Sequence, residues 1–466
     1  MKTCLRVSLP PLVFILIFLL GVNLTQAQGN SDIDEALLIV PPPRYPWAIQ
    51  YVHQELDPPR DVGRFVSMAL RPFDDYPVIS YYDYTKADLM LAIPVPALTG
   101  NCGTFNNWLC ESIDGSGILN VGMFSSIDIW GYSSASWKVG ISYYDDTFRA
   151  LKAAIWTCSS GSCNKEIITI LTPDSVQMSY GLYPSIKFNS DGVAAIASFY
   201  YNSGSNSSDL IYAEQVLGEG NCGVGAAFGF WNCTLISFLS DQPKYTSLDF
   251  NYEDKAYIAY YYPEDESLRI AYDYGSAAMC DEFDWTCRTI DGGVDDVGSF
   301  SSLVAPQFSG DSFHIAYLDK TNGHLKYYNE DWGPVVVDEM GTTDSPKGIS
   351  LKFDHDGYPA IAYQYIASEY SPPALRIARP WMVYEDGHVG NCGDNPPGYS
   401  VKYWRCNTID YGGQYIEEAG YASMVINSNG RVGIAYSEFD TDLVITSLKF
   451  TYQTLYRTFL PLTVKP

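Results

Sequence analysis

Short apolar segments recur along the whole chain, separated by turns rich in Gly, Asp and Asn. Seven segments share one pattern, a β-branched residue followed by small and aromatic residues, as in Ile79-Ser80-Tyr81-Tyr82. They begin at Ile79, Ile141, Ile196, Ile258, Ile315, Ile361 and Ile434, a period of about 59 residues. A repeat of this length, made of short strands, predicts the blades of a β-propeller.

Each repeat is predicted to form four strands, named a to d. Strand a is a Ser-led run such as Ser350 to Phe353, and an Asp-Gly or Asn-Gly turn joins it to strand b, because these pairs tolerate the backbone of a tight hairpin. Strand d carries a Trp and ends in an apolar-polar pair such as Ile290-Asp291. Strand c begins with a leucine, predicted to be Leu89, Leu151, Leu210, Leu268, Leu325, Leu375 and Leu443. The fold class is therefore all-β, a seven-bladed propeller of four-stranded antiparallel blades.

The ring is predicted to be closed by an N-terminal outer strand, in a propeller spanning residues 46–450. The seventh repeat has no clear strand d, and Trp47 to Leu56 can supply it. This segment precedes Asp61-Val62-Gly63-Arg64-Phe65, which resembles Asp296 to Phe300, the passage from a strand d to the next strand a. An outer strand there would remove an exposed edge. Residues 451–466 form either a C-terminal tail or a competing last strand.

The N-terminus and the charge define the compartment and the partners. Residues 1–27 combine a basic start, an apolar run from Leu12 to Leu20 and a small-residue end, which is typical of a secretory signal peptide. Residues 28–45 are predicted to form a flexible Pro-rich leader. No later run is apolar for about 18 residues, so no transmembrane segment is expected. The net charge of −26 disfavours nucleic acid. We expect a secreted bacterial protein, extracellular or at the cell surface, that is a monomer binding an extracellular glycan or protein.

Ten cysteines fall into five close pairs, one for each of five predicted c–d hairpins. The pairs are Cys102 with Cys110, Cys158 with Cys163, Cys222 with Cys233, Cys280 with Cys287, and Cys392 with Cys406. The eleventh cysteine, Cys4, lies in the predicted signal peptide, and the even number that remains in a secreted chain predicts disulfides. No pair has a His partner at zinc-ligand spacing, and His53 occupies a strand-d end where other repeats have Asp, which suggests a structural role.

Eight carboxylates are predicted to lie on one rim of the propeller, where strands b and d end. They are Asp83, Asp145, Asp319, Glu438, Asp114, Asp291, Asp338 and Asp410. Such a cluster could bind calcium, the one candidate cofactor, or a basic peptide, or act as an acid/base pair on a sugar. Equally, Asp could merely cap strands and turns. Tyr200, Tyr262 and Tyr365 at the same ends could be a sugar platform or core.

The repeats resemble those of secreted bacterial β-propeller repeat proteins, whose blades read Ile-Ser-Tyr-Tyr-Asp followed by Leu-Lys-Tyr-Ala. Ser350 to Tyr363 and Leu325-Lys326-Tyr327 carry the match, which recurs from about residue 60 to 450. The resemblance implies the fold and no particular activity. Sialidase-like propellers are more distantly similar in architecture, but their Ser-x-Asp-x-Gly-x-x-Trp box and arginine triad are missing here, so sialidase activity does not carry over.

Three functions follow from these observations. The first is a secreted, non-catalytic binding module that recognises carbohydrate or protein through an acidic, Tyr-rich propeller face. The alternatives are a carbohydrate-active enzyme, a glycoside hydrolase or lyase using rim carboxylates, and a structural cell-surface or adhesion element. No catalytic residue is assigned, because the sequence has no Gly-x-Ser-x-Gly nucleophile turn and the Asp positions recur from blade to blade.

Overall fold

A computed structural model confirms the seven-bladed β-propeller, with four antiparallel strands in each blade. The structure describes residues 47–454, apart from 57, 116, 160–161, 224–229, 243, 275–279, 281–283, 341–347, 367–373, 385–386, 412–420, 441–442 and 444. The predicted signal peptide, the predicted leader (28–45), residue 46 and residues 455–466 lie outside the described part.

The blades follow one another along the chain, with strands a to d in order. Blade one contains β4 (Val62–Leu70), β5 (Pro77–Asp83), β6 (Asp88–Pro94) and β7 (Trp108–Asp114). Blade two contains β8 (Val121–Ser133), β9 (Ser136–Asp145), β10 (Ala150–Ser159) and β11 (Ser162–Leu171). Blade three contains β12 (Met178–Phe188), β13 (Ala194–Asn202), β14 (Ser207–Gln215) and β15 (Trp231–Ser240). Blade four contains β16 (Lys244–Phe250), β17 (Ala256–Tyr262), β18 (Ser267–Tyr272) and β19 (Thr286–Asp291); blade five β20 (Val297–Val304), β21 (His314–Asp319), β22 (His324–Asn329) and β23 (Gly333–Glu339). Blade six contains β24 (Ser350–Phe353), β25 (Pro359–Tyr365), β26 (Ala374–Pro380) and β27 (Trp404–Tyr411), with a 3₁₀ turn at Trp381–Val383.

Blade seven is assembled from both ends of the described chain. It contains β28 (Ala422–Ile426), β29 (Val432–Asp440), β30 (Ile445–Gln453) and, as its outer strand, β1 (Trp47–His53), which pairs antiparallel with β30. A short hairpin of β2 (Glu55–Leu56) and β3 (Pro59–Arg60) leads from β1 to blade one.

The leucine prediction is wrong in the seventh blade. Leu443 precedes the strand, and the equivalent position is Leu448, which pairs with Ser437 and His53. The repeat is longer there because β29 extends to Asp440, which places strand c later in the sequence. β30 also runs three residues beyond the predicted end of the propeller.

The b strands form the most buried layer because both of their faces pack against other strands. Every residue from Val78 to Asp83 in β5 is buried, as are the central residues of the other b strands. This explains the near-continuous apolar sequence of these segments, which lack the alternation of a half-exposed strand.

A ring of seven serines joins the innermost strands. They occupy the same position in each strand a: Ser67, Ser126, Ser185, Ser247, Ser302, Ser350 and Ser423. Each Oγ accepts a hydrogen bond from a backbone N–H of the next blade, at 2.9–3.2 Å, and Ser423 accepts from Met68 of blade one. The inner edge of strand a has no partner strand, so these hydroxyls satisfy donors that would otherwise be unpaired.

Replacing one serine of the ring should cost a measurable part of the stability. In Ser302→Ala, the Leu351 N–H loses its acceptor at 3.0 Å, and we expect the free energy of unfolding to fall by about 1–2 kcal/mol in chemical denaturation. The neighbouring Ser301 is the matched control, because its buried hydroxyl has no hydrogen-bond partner. Equal losses in Ser302→Ala and Ser301→Ala would contradict the role of the ring.

The five predicted disulfides are confirmed, with S–S distances of 1.96–2.03 Å. Each one links strands c and d, or the segment between them, within one blade. Disulfides of this number form in an oxidising compartment, which indicates an extracytoplasmic protein. In the part of the chain that the structure describes, no helix has the length and apolar character needed to cross a membrane.

Candidate functional site

The eight predicted rim carboxylates lie between the blades rather than open to solvent. Side-chain exposure is at most 17% for any of them, and Asp83, Asp145 and Asp319 are essentially inaccessible. Their proposed role as ligand-binding groups stays a prediction, and their present contacts are with the protein itself.

The four strand-d aspartates each bind two groups of the next blade, a tyrosine of strand b and a basic residue of strand c. Asp114 accepts from Tyr143 (2.7 Å) and Lys152 (2.5 Å), Asp291 from Tyr317 (2.7 Å) and Lys326 (2.8 Å), Asp338 from Tyr363 (2.6 Å) and Arg376 (2.6 Å), and Asp410 from Tyr436 (2.5 Å) and Lys449 (3.0 Å). We call each set of three an inter-blade latch.

The strand-b carboxylates organise the b–c turns. Asp83, Asp145 and Asp319 accept, through Oδ1, the backbone N–H three residues later, at 2.9–3.0 Å. The other oxygen of Asp319 lies 3.2 Å from Lys326, so this aspartate also supports a latch. Glu438 accepts from Tyr51 at 2.7 Å and from Lys449 at 2.6 Å. Capping of turns, one of the two interpretations left open by the sequence, is thus what these groups do locally.

Burial and the neighbouring charges hold the latches in one protonation state. Burial, followed by the Asp114 charge, raises the pKa of Tyr143 well above its usual value, and Tyr317 is affected similarly beside Asp291. Burial opposes the charge of Lys326, but the hydrogen bond and charge of Asp291 outweigh it and raise the pKa of this lysine. The tyrosines therefore remain neutral and Lys326 charged at physiological pH.

The remaining three interfaces use other residues at the same positions. Between blades two and three they are Leu171, Ser198 and Ile211, and between blades three and four Ser237, Tyr260 and Arg269. Between blades seven and one, His53 Nδ1 lies 2.8 Å from the Tyr81 hydroxyl, Met90 replaces the basic residue, and Arg60 of the short hairpin pairs with Asp83. The tyrosine is thus kept in two of these interfaces, where Ser237 or His53 stands in place of the aspartate. The interface between blades two and three replaces all three groups of the latch.

Among the described residues, the latch carboxylates at this end of the strands do not form an open set of oxygen ligands for calcium, because each of them already faces a cation. The group of potential metal-binding atoms found there is Asp338 with Cys392 and Cys406. Those two sulfurs form a disulfide and are therefore not thiolate ligands.

The predicted tyrosine platform is partly covered. The Arg269 guanidinium lies 3.4 Å from the ring centroid of Tyr262, and that of Arg376 lies 4.2 Å from the centroid of Tyr365. Tyr200 packs against Tyr180, with centroids 4.9 Å apart. A sugar could stack on the covered face of Tyr262 or Tyr365 only after displacing the arginine.

Aromatic residues line the channel two positions before the serine ring. Tyr421, Phe65, Phe124, Tyr183, Tyr245 and Phe300 form a chain of ring contacts, with centroids of successive rings 4.1–5.1 Å apart. Blade six has Gly348 at this position. Most of these aromatics have left-handed backbone, for example Phe300 at φ 55°, a conformation that costs energy and that the surrounding packing must enforce.

A charged cavity of about 530 Å³ lies at the other end of the same strands, near the a–b turns. Four of its charged groups lie two positions after a serine of the ring: Asp128 in blade two, Lys187 in blade three, Asp249 in blade four and Lys352 in blade six. Blade five has Val304 at this position. Asn189, Ser190, Asn251, Asp254 and Gln307 from the turns, together with Phe188, Phe250 and Phe353, complete the lining.

Lys187 is the centre of this charged group. Its Nζ lies 3.8 Å from Asp128 and 3.7 Å from Asp249, and these two charges raise its pKa against the effect of burial. The second oxygens of the aspartates accept backbone N–H groups of Phe188 and Ala305, at 2.9 and 3.0 Å. The two carboxylates are therefore fixed in position and point into one cavity.

The side chain of Lys352 differs from that of Lys187 because it forms no hydrogen bond or ion pair with any described residue. The charge of Lys187, and then burial, lower the pKa of Lys352 to about 8. A shifted pKa in a concave cavity is a recognised mark of a functional site.

Sequence reasoning missed this cavity. Asp128, Lys187, Asp249 and Lys352 are separated by 59 to 224 positions in the sequence. The apolar Ala69 and Val425 at the equivalent positions of other blades also conceal the pattern. The available signal was a charge directly after the Leu or Ile of strand a, as in Ser247-Leu248-Asp249 and Ser350-Leu351-Lys352.

The fold defines the chain as a member of the β-propeller class, and solved structures similar to it share that architecture. They include the Hadza microbial sialidase Hz136 (8% identity, TM-score 0.42, covering 84% of this chain and 66% of that one) and the polysaccharide lyase Uly1 (11%, 0.40, 83% and 90%). The α-L-arabinofuranosidase Arb93A from Fusarium graminearum is a third (7%, 0.40, 86% and 96%). No family model and no curated protein matches the chain. The likeness is one of fold alone.

Proposed function

We propose that this protein is an extracellular carbohydrate-binding propeller whose ligand enters the charged cavity of the central channel. The observation that carries the proposal is the convergence of Asp128, Lys187, Asp249 and Lys352 in one cavity from four different blades. The cavity volume is within the roughly 300–1,000 Å³ usual for small-molecule sites.

The lining chemistry supports a sugar. Fixed carboxylates and ammonium groups form charge-assisted hydrogen bonds with hydroxyls, and the amides of Asn189, Asn251 and Gln307 can both donate and accept. The rings of Phe250 and Phe353 offer apolar surface to the C–H face of a sugar ring. A flat protein surface would not reach these groups, so a protein partner is less well supported.

A carbohydrate-active enzyme is the second candidate, and the spacing of two carboxylates favours it. Asp128 and Asp249 each have an oxygen within 3.8 Å of the same Lys187 nitrogen, so these oxygens cannot be far apart. Glycosidases use pairs of carboxyl groups that are about 5–9.5 Å apart. The eight rim carboxylates support this reaction less well, because the latches already engage them.

Binding and turnover can be tested in one screen. The secreted protein is titrated by calorimetry against a panel of oligosaccharides, and the mixtures are analysed for released products. We expect a ligand that the wild type binds and that Asp249→Asn binds at least about tenfold more weakly, because the carboxylate loses its charge while keeping its shape. Product release that stops in Asp249→Asn would support the enzyme.

Asp319→Asn is the matched control, an equally conservative change at the predicted rim. Loss of binding in Asp319→Asn with full binding in Asp249→Asn would place the ligand at the rim and overturn the cavity proposal. Loss of binding on addition of a chelator would support the predicted calcium ion. No binding to any oligosaccharide would contradict the proposed function.

A further inference from the structure

The cavity contains two lysines with unequal surroundings. Lys187 has an aspartate on each side, whereas Lys352, in the same cavity, has no carboxylate at ion-pair distance in the described part of the chain. The strands on either side of β24 present Val304 and Val425 at the equivalent position. Lys352 is therefore a cation that lines the cavity without a paired carboxylate among the described residues.

We infer that the carbohydrate ligand carries a single negative charge, as a uronic acid or a sugar sulfate ester does, and that this group pairs with Lys352. The inference rests on the proposed function, since it specifies the class of sugar that the cavity binds. A neutral sugar would leave Lys352 as it is, beside Lys187 and partly removed from water, which is unfavourable for an ammonium group.

The other charges of the cavity restrict the ligand to one negative charge at this point. Asp128 and Asp249 share Lys187, and Asp254 adds a further carboxylate at the turn. A second negative charge on the same group would face these carboxylates without a cation to offset it. The rest of the ligand can remain neutral, since hydroxyls suit the amide and carboxylate groups of the lining.

Lys352 also gives the interaction a pH dependence. The titratable or charged groups that face it are Lys187 on β12, Asp128 on β8 and Asp249 on β16. The pKa of Lys352 lies at about 8 in the free protein, so the ammonium form is lost as the pH rises above that value. Lys187 stays charged because its two aspartates raise its pKa. Affinity for an anionic ligand is therefore highest below pH 8 and falls above it.

The test uses matched pairs of oligosaccharides. Each uronic acid oligosaccharide is titrated beside its carboxyl-reduced, neutral form, and each sulfated one beside its desulfated form, at about pH 6.5 and 9.5. We expect the acidic member of one pair to bind about tenfold or more tightly at the lower pH, and this advantage to shrink at the higher pH. Which pair responds distinguishes a carboxylate from a sulfate.

The Lys352→Met variant is the second part of the test. Methionine keeps the length of the side chain, and Val304 and Val425 show that the position accepts apolar residues, so the variant should fold. It should bind acidic and neutral members of a pair equally, with no pH dependence. Its thermal unfolding at pH 7 checks the fold, and we expect it to be at least as stable as the wild type, because a repulsive charge pair is removed.

The outcomes separate the two proposals. Equal affinity for acidic and neutral partners in the wild type would overturn the inference and leave the carbohydrate-binding function standing. An acidic preference that persists in Lys352→Met would overturn the role of this lysine. Absence of binding to every member of the panel would overturn the proposed function itself.

Discussion

Asp338→Asn is expected to lower the free energy of unfolding by about 3–5 kcal/mol, because it breaks an almost fully buried latch. Asp338 is 8% exposed and accepts from both Tyr363 and Arg376 at 2.6 Å. Without the carboxylate charge, the Arg376 guanidinium stays between two blades with no other ion pair in the described chain. Chemical denaturation monitored by tryptophan fluorescence measures the loss. Asp356→Asn, at an exposed turn of blade six, the blade that contains Tyr363 and Arg376, should change stability by less than about 0.5 kcal/mol.

An apolar version of the latch should restore most of the stability. Leu171 and Ile211 occupy the aspartate and basic positions between blades two and three, so the fold already accommodates that solution. The triple variant Asp338→Leu, Tyr363→Phe, Arg376→Ile is expected to be within about 1 kcal/mol of the wild type, since buried ion pairs are often replaceable by apolar sets. If the triple variant is stable but fails to bind a ligand that the wild type binds, this latch takes part in ligand binding, as the sequence position of Asp338 suggested.

Gly298→Ala is expected to destabilise the protein by about 3–5 kcal/mol. A methyl group at this position would lie 2.8 Å from Leu268 Cα of the preceding blade, where backbone must move to make room. The residue also has φ +104°, which an L-residue adopts only with strain. Strain of about 1–3 kcal/mol and overpacking of a similar size add up to the predicted loss.

Gly310→Ala separates the two contributions. Gly310 belongs to the same blade and has a similar φ of +86°, but no atom lies within 4 Å of an added methyl group. This variant should lose only about 1 kcal/mol, the cost of the backbone conformation. Equal losses in the two variants would show that close approach of the blades at Gly298 is unimportant.

The glycine was visible in the sequence, whereas its contact was not. The passage Asp296-Val297-Gly298-Ser299-Phe300 repeats near Gly63 and predicted a join between blades. Only the assembled ring places Gly63 against Leu448, 385 positions later in the chain, and Gly298 against Leu268. The recurrence of a short pattern is local information, while the neighbour of each glycine depends on how the blades pack.

The inter-blade latches show the same difference between what the local sequence predicted and what the packing of the blades decided. Asp114, Asp291, Asp338 and Asp410 were recognised as equivalent because each ends a strand d, and their placement at one end of the strands follows from alternating strand direction. That each would face a lysine or arginine of the next blade was not predicted, since the partners are 35–39 residues away and belong to a different repeat. A rim of acidic groups was therefore expected where the structure has closed ion pairs.

The sequence by itself determined the architecture of this protein, because propeller blades are built from local hairpins whose strands, turns and disulfides lie within about 59 residues. The tertiary structure alone decided which charges are neutralised and which remain available. Asp128, Lys187, Asp249 and Lys352 come from separate blades and meet only when the ring is formed. Side chains brought together by ring closure leave no short-range pattern in the sequence, so the cavity became visible only in the folded protein.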